Sequence, residues 1–476
     1  MTALPLSIGK IHFTGIGGIG MSGIAEILHE LGYAVQGSDL SENANVKRLI
    51  DKGIPVSIPQ SADNLDDVSI IVISTAIQPD NVEVMEARRR FLPVVHRAEM
   101  LGELMRLRWS VAVAGTHGKT TTTSLVATLL DAANIDPTVV NGGIISSWGS
   151  NAKLGAGEWM VVEADESDGS FSRLKPTVAI VTNIDPEHLD HHGSFDKLET
   201  AFENFVASIP FYGFACLCID HPSVQRLLPK IRDRRIITYG LSAAADVRAV
   251  NIRHDCNQML FDIQLSERLM GKAELVSDIG FPMLGTHNVQ NCIAAVAVAL
   301  EMGIATDIIR SALASFKGVG RRFDFKGNAG GITVIDDYGH HPVEIKAALD
   351  AGRMRCQTGK LIAVVQPHRY SRLRDLFDDF CSCFNEADIV LVADIFAAGE
   401  APIAGFDKED LVAGLQAYGH QMPLVLESPD ALAQTIHNLA SSGDLVMCLG
   451  AGSITGWAAS LPEALHQLQA DEEART

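Results

Sequence analysis

The sequence predicts an α/β fold with several domains, and three observations support this. Short apolar and β-branched runs alternate with longer helical stretches along most of the chain, as in βαβ units with a parallel sheet. The 476 residues exceed what one hydrophobic core usually serves, at roughly 100–200 residues per domain. The alternation of strands and helices is also interrupted and restarts at two places, so we expect three domains.

Changes in this alternation predict where the domains meet. The first group of strands ends with VSIIVIST and a helical stretch, and a new strand opens at Val111. Between Asp246 and Gly280, short alternating strands with polar turns predict a small antiparallel sheet beside the parallel one. The α/β alternation resumes after Phe316 with ITVIDD and LIAVVQ. The predicted domains are residues 1–108, 109–315 and 316–476.

Charge and composition exclude some classes of protein. The formal net charge is -20, from 38 basic and 58 acidic side chains, so a protein that coats nucleic-acid phosphates is not expected. The eight cysteines form no CxxC pair with partner Cys or His residues, which predicts reduced thiols in a cytosolic protein. The N-terminus lacks a signal-peptide pattern, and no apolar run reaches the roughly 18 residues that span a bilayer. We therefore expect a cytoplasmic protein without membrane insertion.

A glycine-rich turn near the N-terminus, GIGGIG, matches the fingerprint of a diphosphate-binding βα turn. It follows an apolar run and opens a helix, and Asp39 lies at the end of the next predicted strand. The glycines let the backbone approach a pyrophosphate, which the helix N-terminus then stabilises. A tight turn without a ligand has the same pattern, and the motif does not distinguish NAD from another diphosphate.

A second glycine-rich turn, GTHGKTTTT, begins at Gly115 and has the features of a phosphate loop. A strand precedes it, Lys119 is placed to meet the β and γ phosphates, and Thr120 is placed to reach Mg²⁺. Val113 stands where a full Walker A motif has its first glycine. The pattern predicts hydrolysis or transfer of the terminal phosphate of a nucleoside triphosphate.

Acidic side chains and histidines follow the next predicted strands. Glu163 and Asp165 end the strand MVVEAD, where a carboxylate can reach Mg²⁺ beside the loop. The segment NIDPEHLDHHG, from Asn183 to Gly193, places a run of histidines at the following strand end. Zinc is an alternative for these histidines, but no matching Cys or His group lies at ligand spacing. A solvated strand end would also explain the acids, more readily for Asp165 than for Glu163.

These motifs occur in one order along the chain, together with THNVQN, GRRFDF, DDYGHHP and QPHRYSR. In that order they resemble the motifs of the Mur ligase family, and the likeness extends from Ile11 to about Thr455. The family's phosphate loop also lacks the first Walker A glycine. The resemblance implies a Rossmann-like UDP-sugar domain, a central phosphate-loop ATPase domain, and a Rossmann-like C-terminal domain that closes over ATP and the amino acid.

The resemblance also implies a reaction. ATP would transfer its γ-phosphoryl group to the carboxylate of UDP-N-acetylmuramate, and the amine of L-alanine would displace phosphate from the acyl phosphate. The expected setting is the cytoplasmic synthesis of peptidoglycan precursors. ATP is thus a co-substrate, and two Mg²⁺ ions are the expected cofactors. The sequence predicts neither the oligomeric state nor the preference for L-alanine over glycine or L-serine.

The resemblance assigns site residues to three ligands and also implies metal ligands and catalytic residues. Those expected at the UDP-sugar are Gly15, Gly17, Gly18, Gly20, Asp39, Ser74 and Thr75. Those expected at ATP are Gly115, Thr116, His117, Gly118, Lys119, Thr120, Thr121, Asn288, Asn291, Arg322 and Asp337. Those expected at the amino acid and its carboxylate are Tyr338, His340, His368, Arg369 and Arg372. The expected metal ligands are Thr120, Glu163 and His188, and the expected catalytic residues are Lys119, Glu163, His188 and His340.

Two features of the family are incomplete in this sequence. Several sister ligases use a carbamylated lysine downstream of the histidine, and an ungapped count places Phe202 at that position. The lysine carbamate is therefore expected to be absent, which leaves the remaining ligands of the second metal open. Imidazole is also an unusual ligand for Mg²⁺, which prefers oxygen, so the role of His188 rests on the resemblance. His340 is a candidate general base for the amine.

Three alternatives remain at this point. A ligase of the same family that attaches a preformed tripeptide to UDP-N-acetylmuramate would share these motifs. A nicotinamide-dependent dehydrogenase would explain GIGGIG and Asp39 but would leave GTHGKTTTT without a role. A nucleotide-switch protein would bind ATP, yet the chain has no guanine-reading NKxD in the expected place.

Overall fold

The computed structural model describes residues 8–167, 169–255 and 257–473. The chain divides into two compact units. The first comprises Met1–Val250, Asp262–Ile279 and Gln290–Lys317, and the second comprises Asn251–Phe261, Gly280–Val289 and Gly318–Thr476. The described strands form three sheets of five, ten and six strands. Helices connect most of these strands, so the predicted α/β fold class is confirmed, whereas the domain boundaries near residues 108 and 315 stay predictions.

The first sheet is entirely parallel among its described pairs. Its strands are β1 Lys10–Thr14, β2 Val35–Ser38, β3 Val56–Ser57, β4 Val68–Ile73 and β5 Val94–His96. Its helices are α1 Ile19–Glu30, α2 Ala44–Asp51, α3 Val82–Arg89 and α4 Arg97–Met105. The order β3-β2-β1-β4-β5 reverses direction at β1. Open α/β sheets bind ligands at such a switch point, at the carboxyl ends of the strands.

The second sheet is mixed and carries the second glycine-rich turn. Its strands are β6 Trp109–Ala114, β7 Thr138–Ile145, β8 Ser150–Lys153, β9 Trp159–Glu163, β10 Val178–Val181, β11 Phe214–Cys218, β12 Arg235–Gly240, β13 Val247–His254, β14 Met259–Leu265 and β15 Glu274–Phe281. The order is β15-β14-β13-β12-β11-β10-β6-β9-β7-β8. The segment predicted as short alternating strands thus forms β13 to β15 at one edge of this sheet.

Helices accompany this sheet along the chain. They are α5 Lys119–Ala132, α6 Leu189–His192, α7 Phe195–Ala207, α8 Pro222–Leu227, α9 Glu267–Met270, α10 Thr286–Glu301 and α11 Thr306–Ala314. β6 is flanked by β9 and β10, and both pairings are parallel. Val111, Ala112, Val113 and Ala114 in β6 are fully buried, as expected for a central strand covered on both faces.

The third sheet forms the C-terminal part of the second unit. Its strands are β16 Asp324–Ala329, β17 Ile332–Asp337, β18 Leu361–Val365, β19 Ile389–Val392, β20 Pro423–Val425 and β21 Leu445–Leu449. Its helices are α12 Pro342–Cys356, α13 Tyr370–Asp375, α14 Phe377–Ser382, α15 Lys408–Ala417, α16 Leu432–Leu439 and α17 Ile454–Glu473. The order is β16-β17-β21-β18-β19-β20, so β21, the last of the described strands, lies in the interior of the sheet. A separate apolar cluster covers each face.

Two further findings concern membranes and thiols. Across the described ranges, none of the helices has both the length and the hydropathy needed to cross a membrane. The cysteines in those ranges are free thiols, and burial raises the pKa of the Cys216 and Cys292 thiols. Cys256 lies outside the described residues.

A buried carboxylate ties together several elements of the first sheet. Glu83, on α3, is fully buried and accepts hydrogen bonds from His12 Nε2 at 3.0 Å and Thr14 Oγ1 at 2.7 Å. Ser38 Oγ donates to the same carboxylate at 2.7 Å, and Asn64 Nδ2 donates at 2.8 Å. Burial alone would raise the pKa of Glu83, but the hydrogen bond and charge of His12 help to lower it to about 2. The carboxylate therefore stays ionised inside the unit.

We expect Glu83→Gln to lower the free energy of unfolding by about 2 kcal/mol at pH 7, because a buried amide satisfies only part of the network. Since the folded-state pKa lies below the ordinary value of 4.5, the carboxylate contributes stability above about pH 4.5. That contribution is lost as the pH falls towards the folded-state pKa of about 2. Urea unfolding at several pH values should show a gap between wild type and variant that narrows below about pH 4.5.

Glu103→Gln is the matched control for this prediction. Glu103 lies on the exposed surface of α4 beside Arg106, and surface ion pairs contribute little to stability. A gap that stays constant down to the lowest pH measured, or an equal loss of stability in Glu103→Gln, would contradict the role assigned to Glu83.

Candidate active site

The second glycine-rich turn joins β6 to α5. Gly115 has φ +136° and Gly118 has φ +81°, a backbone region that L side chains rarely adopt. A Cβ on Gly115 would lie 2.0 Å from Thr182 Oγ1, and one on Gly118 would lie 2.4 Å from Asn291 Oδ1. A side chain at either position would therefore strain the backbone and clash with a neighbouring side chain. Within the described chain, no side chain caps α5, so its first N–H groups can serve an anion.

Lys119, the first residue of α5, is folded back over the turn. Its Nζ donates hydrogen bonds to Gly115 O at 2.6 Å, Thr116 O at 3.1 Å and Glu166 Oε1 at 2.8 Å. Burial alone would lower the pKa of Lys119, but the carboxylates of Glu166 and Asp165 raise it above its ordinary value. The turn therefore carries a permanent cation.

Hydrogen bonds fix this turn to the loop that follows β10. Asn183 Oδ1 accepts from His117 N at 2.7 Å, and Thr182 Oγ1 donates to His117 O at 2.7 Å. Thr116 Oγ1 accepts from Asp185 N at 2.9 Å. The His117 ring also lies 3.4 Å from the carboxylate of Asp185. Thr116 and His117, both predicted to contact ATP, thus hold the shape of the turn.

Glu163 ends β9 and lies opposite Val113 in the register with β6. Its Oε2 accepts a hydrogen bond from Gly142 N at 2.8 Å, and a Cβ on Gly142 would lie 2.5 Å from both carboxylate oxygens. The carboxylate therefore occupies a close-fitting backbone cradle one strand from the turn. Together with the hydroxyl of Thr120, in the first turn of α5, it offers the oxygen ligands that Mg²⁺ prefers.

The two acids that follow differ in their environments. The Asp165 side chain is 39% exposed and lies 3.3 Å from Arg97 Nη2. Glu166 is 1% exposed, and its Oε2 is a buried atom without a hydrogen-bond partner in the described chain. Burial raises the pKa of Glu166 to about 7, against the opposing charge of Lys119. Glu166 was not among the predicted site residues, and its only signal in the sequence is a third acid in the stretch EADE.

His188 precedes α6 and has a left-handed backbone with φ +56°. Its Nε2 lies 3.7 Å from Glu187 Oε2. Among the residues that the structure describes, no group of three or more His, Cys, Asp or Glu side chains is arranged to hold a metal ion. The oxygen atoms of Thr120 and Glu163 fit Mg²⁺ by their chemistry, whereas the metal-binding role of His188 stays a prediction.

The two asparagines predicted at ATP lie one turn apart on α10. Asn291 Oδ1 accepts a hydrogen bond from Thr122 Oγ1 at 3.3 Å, which brings Asn291 to the helix that begins at the turn. Asn288 Nδ2 donates to Leu284 O at 2.8 Å, a contact with the segment before its own helix. Thr121 is buried on α5. The geometry therefore supports Asn291 more directly than Asn288 as a part of the turn.

The first glycine-rich turn joins β1 to α1. Gly17 N donates to Asp39 Oδ2 at 2.8 Å, so Asp39 holds this turn in place. Ser74 and Thr75 follow β4, the strand that pairs with β1, and Thr75 is exposed. Gly15 begins the turn at the same edge, with φ +75°. The residues predicted at the UDP-sugar therefore share the carboxyl edge of neighbouring strands.

The start of α1 is close to one basic side chain that the sequence analysis missed. Gly18 occupies the cap position of α1, and a Cβ on Gly20 would lie 2.9 Å from Arg97 Nη1. The same guanidinium is 3.3 Å from Asp165, just after β9. Arg97 therefore lies between the helix start of the first turn and the acids beside the second.

In the second unit, Asp337 ends β17 and is buried. Its Oδ2 accepts from Phe323 N at 2.7 Å, and its Oδ1 accepts from Gly339 N at 2.8 Å. Burial raises the pKa of Asp337 to about 6, and the positive charge of Arg322 opposes that rise. The Arg322 guanidinium lies over the Tyr338 ring, 5.1 Å from its centroid. These predicted residues therefore form one cluster.

A second cluster in this unit follows β17 and β18. The rings of His340 and His368 are 5.9 Å apart, and Arg372 Nη1 lies 3.3 Å from His368 Nδ1. The His368 ring stacks on Phe396 at 5.5 Å. Burial and the neighbouring positive groups lower the pKa of His368 to about 4, so its imidazole is neutral at pH 7. Arg369 is exposed beside this cluster and has φ +71°.

Neighbouring groups orient the ring of His340. Its Nδ1 lies 3.1 Å from Tyr338 O and 3.1 Å from Glu344 Oε2. These contacts engage Nδ1, which leaves Nε2 as the ring atom to serve a substrate. Glu344 and Phe396 were not among the predicted site residues. His340 precedes α12, whereas Glu344 lies in the first turn of that helix, so the usable signal was an acid at the predicted start of a helix.

Models of one protein family match nearly the whole chain. Residues 10–109 match the model described as Mur ligase family, catalytic domain. Residues 113–299 match the Mur ligase middle domain, and residues 321–452 match the Mur ligase, glutamate ligase domain.

Curated relatives and solved structures extend this match. Proteins named UDP-N-acetylmuramate–L-alanine ligase from Rhodospirillum rubrum and Acidiphilium cryptum are each 61% identical, across 98% of this chain and 97% and 98% of their own length. The solved UDP-N-acetylmuramate–alanine ligase of Thermotoga maritima has a TM-score of 0.82 at 28% identity, covering 97% of this chain and 100% of its own. A murein peptide ligase from Psychrobacter arcticus has a TM-score of 0.72 at 25% identity, with coverages of 96% and 99%. By these matches, the chain belongs to the Mur ligase family.

Proposed function

We propose that this protein is an ATP-dependent ligase that joins L-alanine to the carboxylate of UDP-N-acetylmuramate. The observation that carries the proposal is the glycine turn with Lys119 at its centre and the carboxylate of Glu163 on the neighbouring strand. The 61% identity with proteins named UDP-N-acetylmuramate–L-alanine ligase, over nearly the whole of both chains, supports the choice of substrates.

The proposed chemistry activates a carboxylate, which is a poor electrophile at neutral pH. A carboxylate oxygen attacks the γ-phosphorus of ATP, which forms an acyl phosphate and releases ADP. The unprotonated amine of L-alanine then adds to the carbonyl carbon and loses a proton. Phosphate leaves with the electrons of the broken C–O bond, and the amide remains. The cation of Lys119 and the N–H groups at the start of α5 stabilise the transferring phosphoryl group.

We propose Mg²⁺ as the cofactor, held by Thr120 and Glu163, with His188 as a ligand of a second ion. When bound, Mg²⁺ neutralises charge on the phosphates and on the transferring group. Phe202 is fully buried, and its ring lies 5.0 Å from that of Phe171. This side chain belongs to the hydrophobic core, so we propose a second ion without a lysine carbamate.

The amino-acid end of the reaction is proposed for the cluster around His340. Arg369 and Arg372 would bind carboxylates, for which the planar guanidinium offers two parallel hydrogen bonds. The neutral His368 ring accepts from Arg372 through Nδ1 and so holds that guanidinium in place. Nε2 of His340 would take the proton of the attacking amine, because the contacts of Nδ1 fix the ring orientation.

The first glycine-rich turn is proposed to hold the diphosphate of the UDP-sugar. Gly15, Gly17, Gly18 and Gly20 let the backbone approach the diphosphate, and the start of α1 faces it. Asp39 keeps the turn in shape through Gly17 N. Ser74 and Thr75, after β4, would contact the same ligand.

A second candidate is the addition of a preformed peptide to the same UDP-sugar. The murein peptide ligase of Psychrobacter arcticus favours it, since its fold matches this chain with a TM-score of 0.72. The alanine-adding ligase of Thermotoga maritima has the higher TM-score, 0.82, so we favour L-alanine.

The proposed function is tested by phosphate release from Mg-ATP and UDP-N-acetylmuramate, with L-alanine or a tripeptide added in parallel. We expect release that requires L-alanine, and a sugar product heavier by one alanyl residue in mass spectrometry. Release only with the tripeptide would establish the second candidate instead, and no release with either would refute both.

Lys119→Ala should strongly slow ligation while leaving the UDP-sugar site intact, because the two glycine turns are separate. We expect kcat to fall at least about 10³-fold, as for removal of a group that stabilises transition-state charge. Calorimetric titration should give a Kd for UDP-N-acetylmuramate within about twofold of wild type. Lys175→Ala is the control, since Lys175 is exposed. An equal loss of UDP-sugar binding in Lys119→Ala would refute the assignment of separate sites.

Arg372→Ala should raise KM for L-alanine about 10- to 100-fold, since a charge-assisted hydrogen bond to a carboxylate contributes about 1.5–3 kcal/mol. Initial rates over a range of L-alanine concentrations measure this. The matched control is Arg374→Ala, because Arg374 lies two residues away and pairs with Asp375 on the surface. Equal changes in the two variants would show that the effect is not specific to the His368 cluster.

A further inference from the structure

One buried carboxylate beside the phosphate turn has no part in the proposed mechanism. Glu166 is 1% exposed and lies three residues after the proposed metal ligand Glu163. Its backbone is well fixed, because its carbonyl oxygen accepts from Gly169 N at 3.1 Å and lies 2.8 Å from His192 Nε2. The side chain therefore has a defined place next to Lys119.

The ammonium of Lys119 is fully occupied in this structure. An ammonium group has three N–H donors, and the three acceptors around Nζ are Gly115 O, Thr116 O and Glu166 Oε1. A phosphate that approaches the turn therefore has to displace at least one of them. Glu166 is the only one of the three that can carry a negative charge, since the other two are backbone carbonyl oxygens.

The carboxylate of Glu166 depends on this one cation. Its Oε1 is 2.8 Å from Lys119 Nζ, whereas its Oε2 is buried without a hydrogen-bond partner in the described chain. A buried charge that loses its partner is strongly destabilising. Lys119 cannot move to a phosphate without leaving Glu166 either charged and unpaired or obliged to take up a proton, and the phosphate brings a further negative charge close to the carboxylate.

We propose that Glu166 is a positioning residue whose carboxylate competes with the phosphates of the nucleotide for the ammonium of Lys119. Nucleotide binding is then an exchange of ion partners, in which Lys119 leaves Glu166 for phosphate. Glu166 weakens the binding of nucleotide without metal and keeps Lys119 at the mouth of the turn until a nucleotide arrives. This inference rests on the proposed function only in that the turn binds a nucleotide.

The test is calorimetric titration of the full-length protein with ADP in buffer containing EDTA, without UDP-sugar or L-alanine. We expect Glu166→Gln to bind ADP about 10-fold more tightly than wild type, the change that corresponds to about 1.4 kcal/mol. Structural damage caused by the substitution would weaken ADP binding, so tighter binding distinguishes competition by Glu166 from structural damage. Glu166→Met, which is of similar length and uncharged, should bind more tightly as well, and thermal melts check that both variants are folded.

Two matched controls share the stretch EADE. Asp165→Asn also removes a carboxylate near Lys119, but Asp165 is partly exposed and pairs with Arg97, so its effect on ADP binding should be below about twofold. Glu163→Gln should raise the Mg²⁺ concentration needed for half-maximal ligation, whereas Glu166→Gln should leave it unchanged.

Several outcomes would overturn the proposal. Unchanged or weaker ADP binding in both folded Glu166 variants would show that no exchange of partners takes place. A raised requirement for Mg²⁺ in Glu166→Gln would indicate that Glu166 is a metal ligand. An equal gain in ADP affinity in Asp165→Asn would show that the effect comes from the total negative charge near the turn and not from Glu166 itself. Tight ADP binding by a wild-type protein that adds no L-alanine would refute the proposed function alone, whereas no nucleotide binding at all would refute both.

Discussion

The parallel pairing of β6 with β9 and β10 is the constraint on which the nucleotide site depends. In this register Val113 lies opposite Glu163, and Ala114 lies opposite Val181. The carboxyl ends of the three strands therefore meet at one edge of the sheet. The turn after β6, the acids after β9 and the loop after β10 come together because the strands are neighbours. Hydrogen bonds such as that from His117 N to Asn183 then fix the detail.

Much of this edge could be predicted from the sequence. Lys119, Thr120 and Glu163 follow short apolar strands, and residues at the ends of parallel strands converge whatever the rest of the chain does. Glu166 could not be found in this way, because its burial depends on how the segment from Gly169 to His192 folds back over it. Asn288 and Asn291 illustrate the same limit. Both were predicted to contact ATP because they share one face of a helix, but their hydrogen-bond partners in the structure differ.

Arg97 shows why the connection between the two glycine turns was not evident from the sequence. The residue begins α4, and a local pattern suggests only a basic helix start. Its contact with Asp165 and its closeness to Gly20 arise because α1 and α4 pack together beside the second sheet. Packing of this kind links residues 68 positions apart in the chain. Charge patterns that are read along the sequence do not contain that information.

The interior position of β21 in the third sheet has a consequence for biosynthesis. β21 spans Leu445–Leu449 and pairs with both β17 and β18, so the middle of the sheet is missing until these residues have left the ribosome, long after β17 and β18. Until then no strand lies between the facing edges of β17 and β18. Pairing between strands that are far apart in the sequence is also slow. The nascent C-terminal region therefore exposes unpaired strand edges that invite aggregation. A premature stop between Val425 and Leu445 would remove β21 alone among the strands of this sheet and leave β16 and β17 separated from β18, β19 and β20.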